Sequence, residues 1–359
     1  MSASLIGNLY RRILPSDLRQ KLWRLRHDRL ARARADRAVR RHVRCNVCQG
    51  QQIVPFHNRR IRRIPFNFYL CQQCNFIFVY PTTDPVAHYS ELNISELGEG
   101  EVIWNTHYLE AINKYSAAKG RLLEIGFGNG SFLKLAQKEG WDVHGVDLSS
   151  PNVRHAREVL ELPNIFQGTI ADLDYGDDYF DVVAAFNFIE HVADQRGTLA
   201  HIRRLVRPNG LVILLCPNTS GIYHLLVGDI FSESDALDIS WIPPDHVGYF
   251  DKRNLKLLLE STGFKVIGDE SHRTASLWRQ HELTIGPSVT DQKRDDLLAE
   301  IKSSALTEEN ARLAAYRERI KSLVLEKMTW TMVSELMQIE PVLGSENAIL
   351  FVSQKNGNE

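Results

Sequence analysis

The chain has 359 residues, 43% hydrophobic and 24% charged, with a formal net charge of −1. This is the composition of an ordinary globular protein, and it excludes a disordered, fibrous or continuously coiled-coil chain. Five cysteines in this length exclude a disulfide scaffold, and apolar runs such as Leu211 to Cys216 are too short to span a bilayer.

The neutral total conceals an asymmetry. Residues 1–63 carry 17 Lys+Arg against 3 Asp, or +14, and the remainder carries 26 against 41, or −15. Residues 1–44 read as a basic amphipathic helix broken near Pro15. Ser16 is its N-cap, Leu18, Leu22 and Leu25 repeat at helical spacing, and an Arg-rich stretch continues from Arg29 to Arg41. Such a helix either packs, solvated, on the acidic body, or lies on an anionic membrane or a polyanion such as nucleic acid. The first residues lack the layout of a cleavable signal peptide, and an Arg-rich transit peptide is the alternative reading. With no transmembrane segment, the expected location is cytoplasmic, or peripheral at the membrane.

Residues 45–80 form a short unit bounded by two CxxC pairs, Cys45-Cys48 and Cys71-Cys74, separated by 22 residues. Two knuckles of this spacing offer four thiolates to one ion, the pattern of a closed, structural tetrahedral Zn2+ site. A redox CxxC or plain buried cysteines are the alternatives. His57, between the knuckles, reads as a loop residue, and Cys216 as a small core hydrophobe.

Residues 81–120 read as a linker and a helix, Val102 to Ala118. From Arg121 strands and helices alternate: RLLEIGFG, SFLKLAQKEG, WDVHGVDLS, PNVRHAREVL, NIFQGTI, FDVVAAFN, a helix through Arg207, and LVILLCPN. Such alternation predicts a doubly wound, Rossmann-like α/β fold with a largely parallel sheet. A helix from Lys252 to Ser261 and a strand, GFKVIGDE, follow. Residues 271–344 read as a helical insertion, and NAILFVSQ, within 345–359, as a last core strand. The core proper is expected over 121–270.

The chemistry-bearing signal is the run Glu124-Ile-Gly126-Phe-Gly128-Asn-Gly130, which follows a strand and opens a helix. Glycines there allow a tight turn and close approach of a ligand. The dinucleotide pattern GxGxxG/A asks for Gly or Ala at position 131, whereas this chain has Ser131 and its third glycine at 130. Asp147 ends the next strand, 21 residues after Gly126. A carboxylate there can accept both hydroxyls of a free ribose.

LLEIGFGNGSFLKLAQKEGWDVHGVDLS resembles motif I and the acidic strand end of class I S-adenosylmethionine-dependent methyltransferases. DDYFDVVAAFNFIEHVADQRGTLAHIRRLVRPNGLVILLCPN, with its N-x-x-E-H-V, and PPDHVGYFDKRNLKLLLESTGFKV are similar to later parts of that core. CNVCQG together with FYLCQQCNFIFVYPTTDP resembles the zinc-ribbon preceding that core in sugar C-methyltransferases and related biosynthetic enzymes. The resemblance implies a seven-stranded sheet and S-adenosylmethionine as cofactor. It implies that Glu124, Gly126, Gly128 and Gly130 hold the methionine moiety. Asp147 and Leu148 would hold the ribose, Asp172 and Leu173 would meet the adenine, and Asn187 and Phe188 would lie near the sulfonium. The implied acceptor is a small molecule, such as a sugar or a polysaccharide or natural-product precursor.

Methyl transfer requires alignment of nucleophile and methyl, with a general base only if the acceptor proton leaves early. Candidate bases are His246, His191, Tyr249 and Asp245. His191 is expected at a helix start, where a cap or a cofactor contact competes with a base role. Tyr223, His224 and Trp241 are candidate acceptor contacts. Two other readings stand beside this one. The first is an RNA or protein methyltransferase gripping its substrate through the basic head. The second is a non-catalytic, cofactor-binding scaffold.

Overall fold

A computed structural model describes residues 33–39, 43–61, 64–82, 89–90, 99–219, 245–271 and 348–357. The expected helix over residues 1–32 and the insertion from 272 lie outside the described residues, as do Tyr223, His224 and Trp241.

The chain folds as a Rossmann-like α/β unit with a largely parallel sheet. Its strands are β4 (Arg121–Ile125), β5 (Asp142–Asp147), β6 (Asn164–Gln167), β7 (Phe180–Phe186), β8 (Val206–Pro217), β10 (Phe264–Asp269) and β11 (Ala348–Lys355). They form one seven-stranded sheet in the order β10-β11-β8-β7-β4-β5-β6. From β8 to β6 all neighbours are parallel, while β11 is antiparallel to both β8 and β10. The central parallel strands β4, β7 and β8 are buried on both faces, which explains their nearly continuous apolar runs. Leu122, Leu123, Val182, Val183, Val212 and Ile213 are all fully buried. Truncating one such side chain, as in Leu123→Ala, would cost about 2–5 kcal/mol.

The connecting helices obey local rules legible in the sequence. α2 (Ser131–Lys138) buries Phe132, Leu133 and Ala136. α3 (Ser150–Glu158) starts at Ser149, whose hydroxyl accepts from Asn152 N, with Pro151 in the first turn. α4 (Gln195–Leu205) is capped by Asp194, and α5 (Lys252–Ser261) by a reciprocal pair, Asp251 and Asn254. From β4 the chain steps outward through β5 to β6, then returns to place β7 on the other side of β4. This reversal opens a crevice at the carboxyl ends of β4 and β7, where open α/β sheets bind ligands.

The helix in the expected linker, α1 (Glu99–Tyr115), starts three residues earlier than expected and belongs to the core. Its Tyr108, Leu109, Ala111 and Ile112 are buried in the same cluster as α2 and β4. These buried side chains near its C-terminal end place it against the core.

The cysteine unit is also joined to the core. β1 (Ile53–Ile61), β2 (Ile64–Cys71) and β3 (Ile77–Val79) form an antiparallel sheet whose fourth strand is β9 (Gly248–Tyr249), from beyond β8. The pairing sets Ile77 opposite Tyr249 and Phe78 opposite Gly248. Phe76 packs on Phe250 with ring centroids 4.8 Å apart. The boundary expected at residue 80 is therefore crossed by a strand ladder. His57, expected in a loop, lies in β1. Residues 33–39 are helical, and Val39 is buried against Ile53 and Tyr69, whose hydroxyl donates to Asp36 at 2.9 Å. That end of the basic head thus packs on the cysteine unit.

Candidate functional site: a two-acid crevice and a cysteine centre

The glycine turn between β4 and α2 is built from left-handed residues. Gly126, Gly128 and Gly130 have φ of 67°, 56° and 76°. A Cβ on Gly126 would sit 3.0 Å from Phe188 Cδ2, so this turn takes glycine for shape as well as for φ. Asp147, at the end of β5, reaches back across the turn. Its Oδ2 accepts from Gly128 N at 2.9 Å and its Oδ1 from Ser149 N at 2.8 Å. A side-chain hydrogen bond with Asn152 adds to these two backbone donors.

The crevice has a volume of about 1120 Å³, at the top of the usual range for small-molecule sites. Glu124, Gly126, Gly128, Asp147, Leu148, Asn187, Phe188, His191 and His246 all line it. Gly130 does not; it turns toward Leu160 and Leu162 and starts α2. Glu124 is 4% exposed, and its Oε2 has no hydrogen-bond partner. Burial, then the nearby Asp147, drives the Glu124 carboxyl well above the usual carboxylate range. Burial also raises Asp147, against the lowering effect of its backbone donors. Two buried acids thus face one cavity with an oxygen still unsatisfied.

Besides Gly130, three predicted residues lie outside the crevice lining. Asp172 turns back on its own 3-10 turn, where its Oδ2 accepts from Thr169 N at 2.8 Å and Thr169 Oγ1 at 2.7 Å. Leu173 is buried in the core beneath it. The crevice wall after β6 is formed instead by Gly168, Thr169, Ile170 and Ala171. Local capping competes better for a short acid than a distant ligand does. Tyr249 is buried in β9, packs on Phe68 and donates its hydroxyl to His246 O at 3.1 Å, so it does not reach the crevice.

His191 lies in a turn, because α4 begins only at Gln195. Its Nδ1 is 2.9 Å from Asp245 O and 2.7 Å from Tyr89 Oη. His246 stands edge-on to it, ring centroids 4.6 Å apart. Glu190, between strand and turn, is 1% exposed and neither carboxylate oxygen has a hydrogen-bond partner. Burial pushes its carboxyl up to about 8. In the sequence, Glu190 stands within N-x-x-E-H-V, a pattern that by itself marks no task for it. Sequence reasoning missed Tyr89, Trp104, Asn105 and Tyr108, which line the crevice. The spacing of Trp104 and Tyr108, one helical turn apart, carried that signal.

The four cysteines converge. Cys45 and Cys74 sulfurs are 3.5 Å apart, as are those of Cys48 and Cys71. The two knuckles share one backbone form. Gln49 and Asn75, each following the second cysteine of its pair, both have φ of 61°. Their amides donate to Cys45 O and Cys71 O at 2.8 Å. Sulfurs bound at about 2.3 Å to one tetrahedral ion would stand at nearly this separation, so the donor set fits Zn2+.

Residues 101–268 match a family model described as a methyltransferase domain. The match spans just under half of the 359 residues. A ubiquinone biosynthesis O-methyltransferase from Azorhizobium caulinodans is 36% identical over 98 residues, covering 26% of this chain and 39% of that protein. A probable S-adenosylmethionine-dependent methyltransferase from Mycolicibacterium smegmatis is 30% identical over 145 residues, covering 40% of this chain and 52% of that protein. The chain thus spans about two fifths to a half of the length of these curated relatives. A solved S-adenosylmethionine-dependent methyltransferase from Archaeoglobus fulgidus is 17% identical, covers 72% of this chain and 95% of its own, and has a TM-score of 0.42. Among the described residues, no helix is long and apolar enough to cross a membrane.

Proposed function

We propose that this chain transfers the methyl group of S-adenosylmethionine to a small-molecule acceptor. The observation that carries this reading is the pair of buried acids, Glu124 and Asp147, on one crevice, with Glu124 Oε2 unsatisfied. A buried carboxylate without a donor is costly, and a ligand bearing cationic groups removes that cost. A dinucleotide would bring a pyrophosphate and add negative charge to the same place. The ammonium and sulfonium of S-adenosylmethionine suit it. When bound, this cofactor supplies a methyl carbon already activated for displacement by the sulfonium.

The chain's own residues then bind and orient. Asp147 accepts from a ribose diol while Gly128 N and Ser149 N hold its carboxylate in place. Glu124 accepts from the amino group. Phe188 and the aromatic face of α1, Trp104 and Tyr108, exclude water from the reacting end. Cys45, Cys48, Cys71 and Cys74 hold a structural Zn2+ that fixes the ribbon. The named relatives favour a hydroxyl acceptor, and the resemblance of the cysteine unit favours a sugar. Both are small molecules bearing hydroxyls.

The test is calorimetric titration with S-adenosylhomocysteine. The wild type is expected to bind one equivalent and Asp147→Ala to lose that binding. A folded wild type that binds no S-adenosylhomocysteine, or that binds nicotinamide dinucleotide in its place, would overturn the reading.

A further inference from the structure

We propose that Glu190, His191 and His246 form a second metal site, for a divalent transition-metal cation, on the acceptor side of the crevice. The three residues come from two turns, one after β7 and one before β9, and one ligand atom from each lies within 4.8 Å of the others. Two imidazoles and a carboxylate form a donor set for ions such as Mn2+, Fe2+ or Co2+.

Three independent features point to an ion. First, a carbonyl only accepts, so the 2.9 Å contact from His191 Nδ1 to Asp245 O puts the proton on Nδ1. Nε2 then carries the lone pair. A ring held through Nδ1–H by a carbonyl is the usual support of a metal-binding histidine. Second, that lone pair stands 3.8 Å from Glu190 Oε1, too far for a hydrogen bond, so a small inward shift of the two side chains would let both reach one ion. Third, Glu190 is 1% exposed with both oxygens unsatisfied, and His246 is 7% exposed and stands edge-on to His191. A cation shared by these three side chains would satisfy the buried Glu190 oxygens.

Glu190, His191 and His246 all line the crevice, so an ion held there keeps a coordination position open toward the bound molecule. The ligand class it takes is an oxygen donor, a hydroxyl or a pair of adjacent hydroxyls on the acceptor. That last assignment rests on the methyltransferase reading, whereas the metal site itself does not.

The experiment uses the full-length protein with its cysteine centre loaded with Zn2+. Free Mn2+ is followed by its electron paramagnetic resonance signal as it is titrated with protein, without cofactor or acceptor, and the titration is repeated with Co2+ by optical absorption. Near one equivalent of either ion is expected to bind, with affinity falling at least about tenfold in Glu190→Gln and in His246→Gln. S-adenosylhomocysteine titration of each variant reports separately whether the fold and the cofactor pocket survive. A wild type that binds neither ion, or folded variants that bind as tightly as the wild type, overturns the metal site. Absence of S-adenosylhomocysteine binding alone overturns only the methyltransferase reading.

Discussion

Asn46, inside the first cysteine knuckle, donates through one Nδ2 to Gln195 Oε1 at 2.8 Å and to Ala193 O at 2.6 Å. Gln195 is buried and passes the constraint on, donating to Val192 O at 2.6 Å. Arg196 returns it by donating to Val47 O at 2.9 Å. The knuckle therefore grips the turn that follows Glu190 and His191. The cysteine unit is a brace for the crevice, and β9 fixes the chain just after His246 from the same side.

Replacing Asn46 by Ala removes two hydrogen bonds without touching a cysteine. At about 1 kcal/mol each, the loss should be about 1–2 kcal/mol of stability. Urea unfolding would read it as a lower midpoint with the same slope. S-adenosylhomocysteine affinity should stay unchanged, because Asp147 and the glycine turn are held by β4 and β5. A variant as stable as the wild type would show that the knuckle does not brace this turn.

Asp147→Asn tests the ribose grip with little change in shape. The amide can accept through only one oxygen, so it keeps one of the two backbone donors and presents a weaker acceptor to a diol. Hydrogen bonds to a charged group contribute about 1.5–3 kcal/mol, so affinity for S-adenosylhomocysteine should fall by about ten- to a hundredfold. Calorimetry measures it directly. An unchanged dissociation constant would mean that the nucleoside sits elsewhere.

Asp172→Ala separates two readings of one residue. If Asp172 only caps its own 3-10 turn, as its contacts to Thr169 indicate, S-adenosylhomocysteine affinity should be unchanged. If it met the adenine, affinity would fall. The same calorimetric titration decides between them, and a clear loss of affinity would restore the adenine contact.

The sheet was legible because buried parallel strands write themselves as apolar runs closed by glycine, acid or proline. β4, β5 and β8 obey that rule, closing before Gly126, at Asp147 and at Pro217, whereas β7 closes before Asn187 and the edge strand β6 is half exposed. The glycine turn and Asp147 were legible because each must occupy a fixed strand end. Asp172 and Tyr249 share one feature: both belong to short connecting segments where side chains are captured by neighbours. Asp172 is captured by Thr169, and Tyr249 by the backbone of His246 and the ring of Phe68. β9 could not be read at all. A two-residue strand has no period, and its partner β3 lies about 170 residues earlier. The pairing of Glu190 with His246 depends on that same long-range closure, so the motif N-x-x-E-H-V gave no hint of its third member.

His144 gives the structure a pH dependence of its own. Its ring is 3% exposed on β5, with Nδ1 2.7 Å from the Tyr175 hydroxyl and Phe180 and Tyr179 packed edge-on around it. Burial, the largest influence, holds its pKa below the ordinary 6.5, and Asp142, 3.5 Å from Nε2, does not offset that. Between the folded pKa and 6.5 the unfolded chain binds a proton that the folded chain refuses. Stability therefore rises with pH through this window and is lost as pH falls below 6.5. Above 6.5 the ring is neutral in both states and contributes no slope. His144→Gln removes the titrating ring. Urea unfolding of both proteins across pH 5 to 8 should show the wild type losing more stability on acidification than the variant, with the gap opening below 6.5. Parallel curves would mean that the folded protein accepts the proton on His144 as readily as the unfolded chain does.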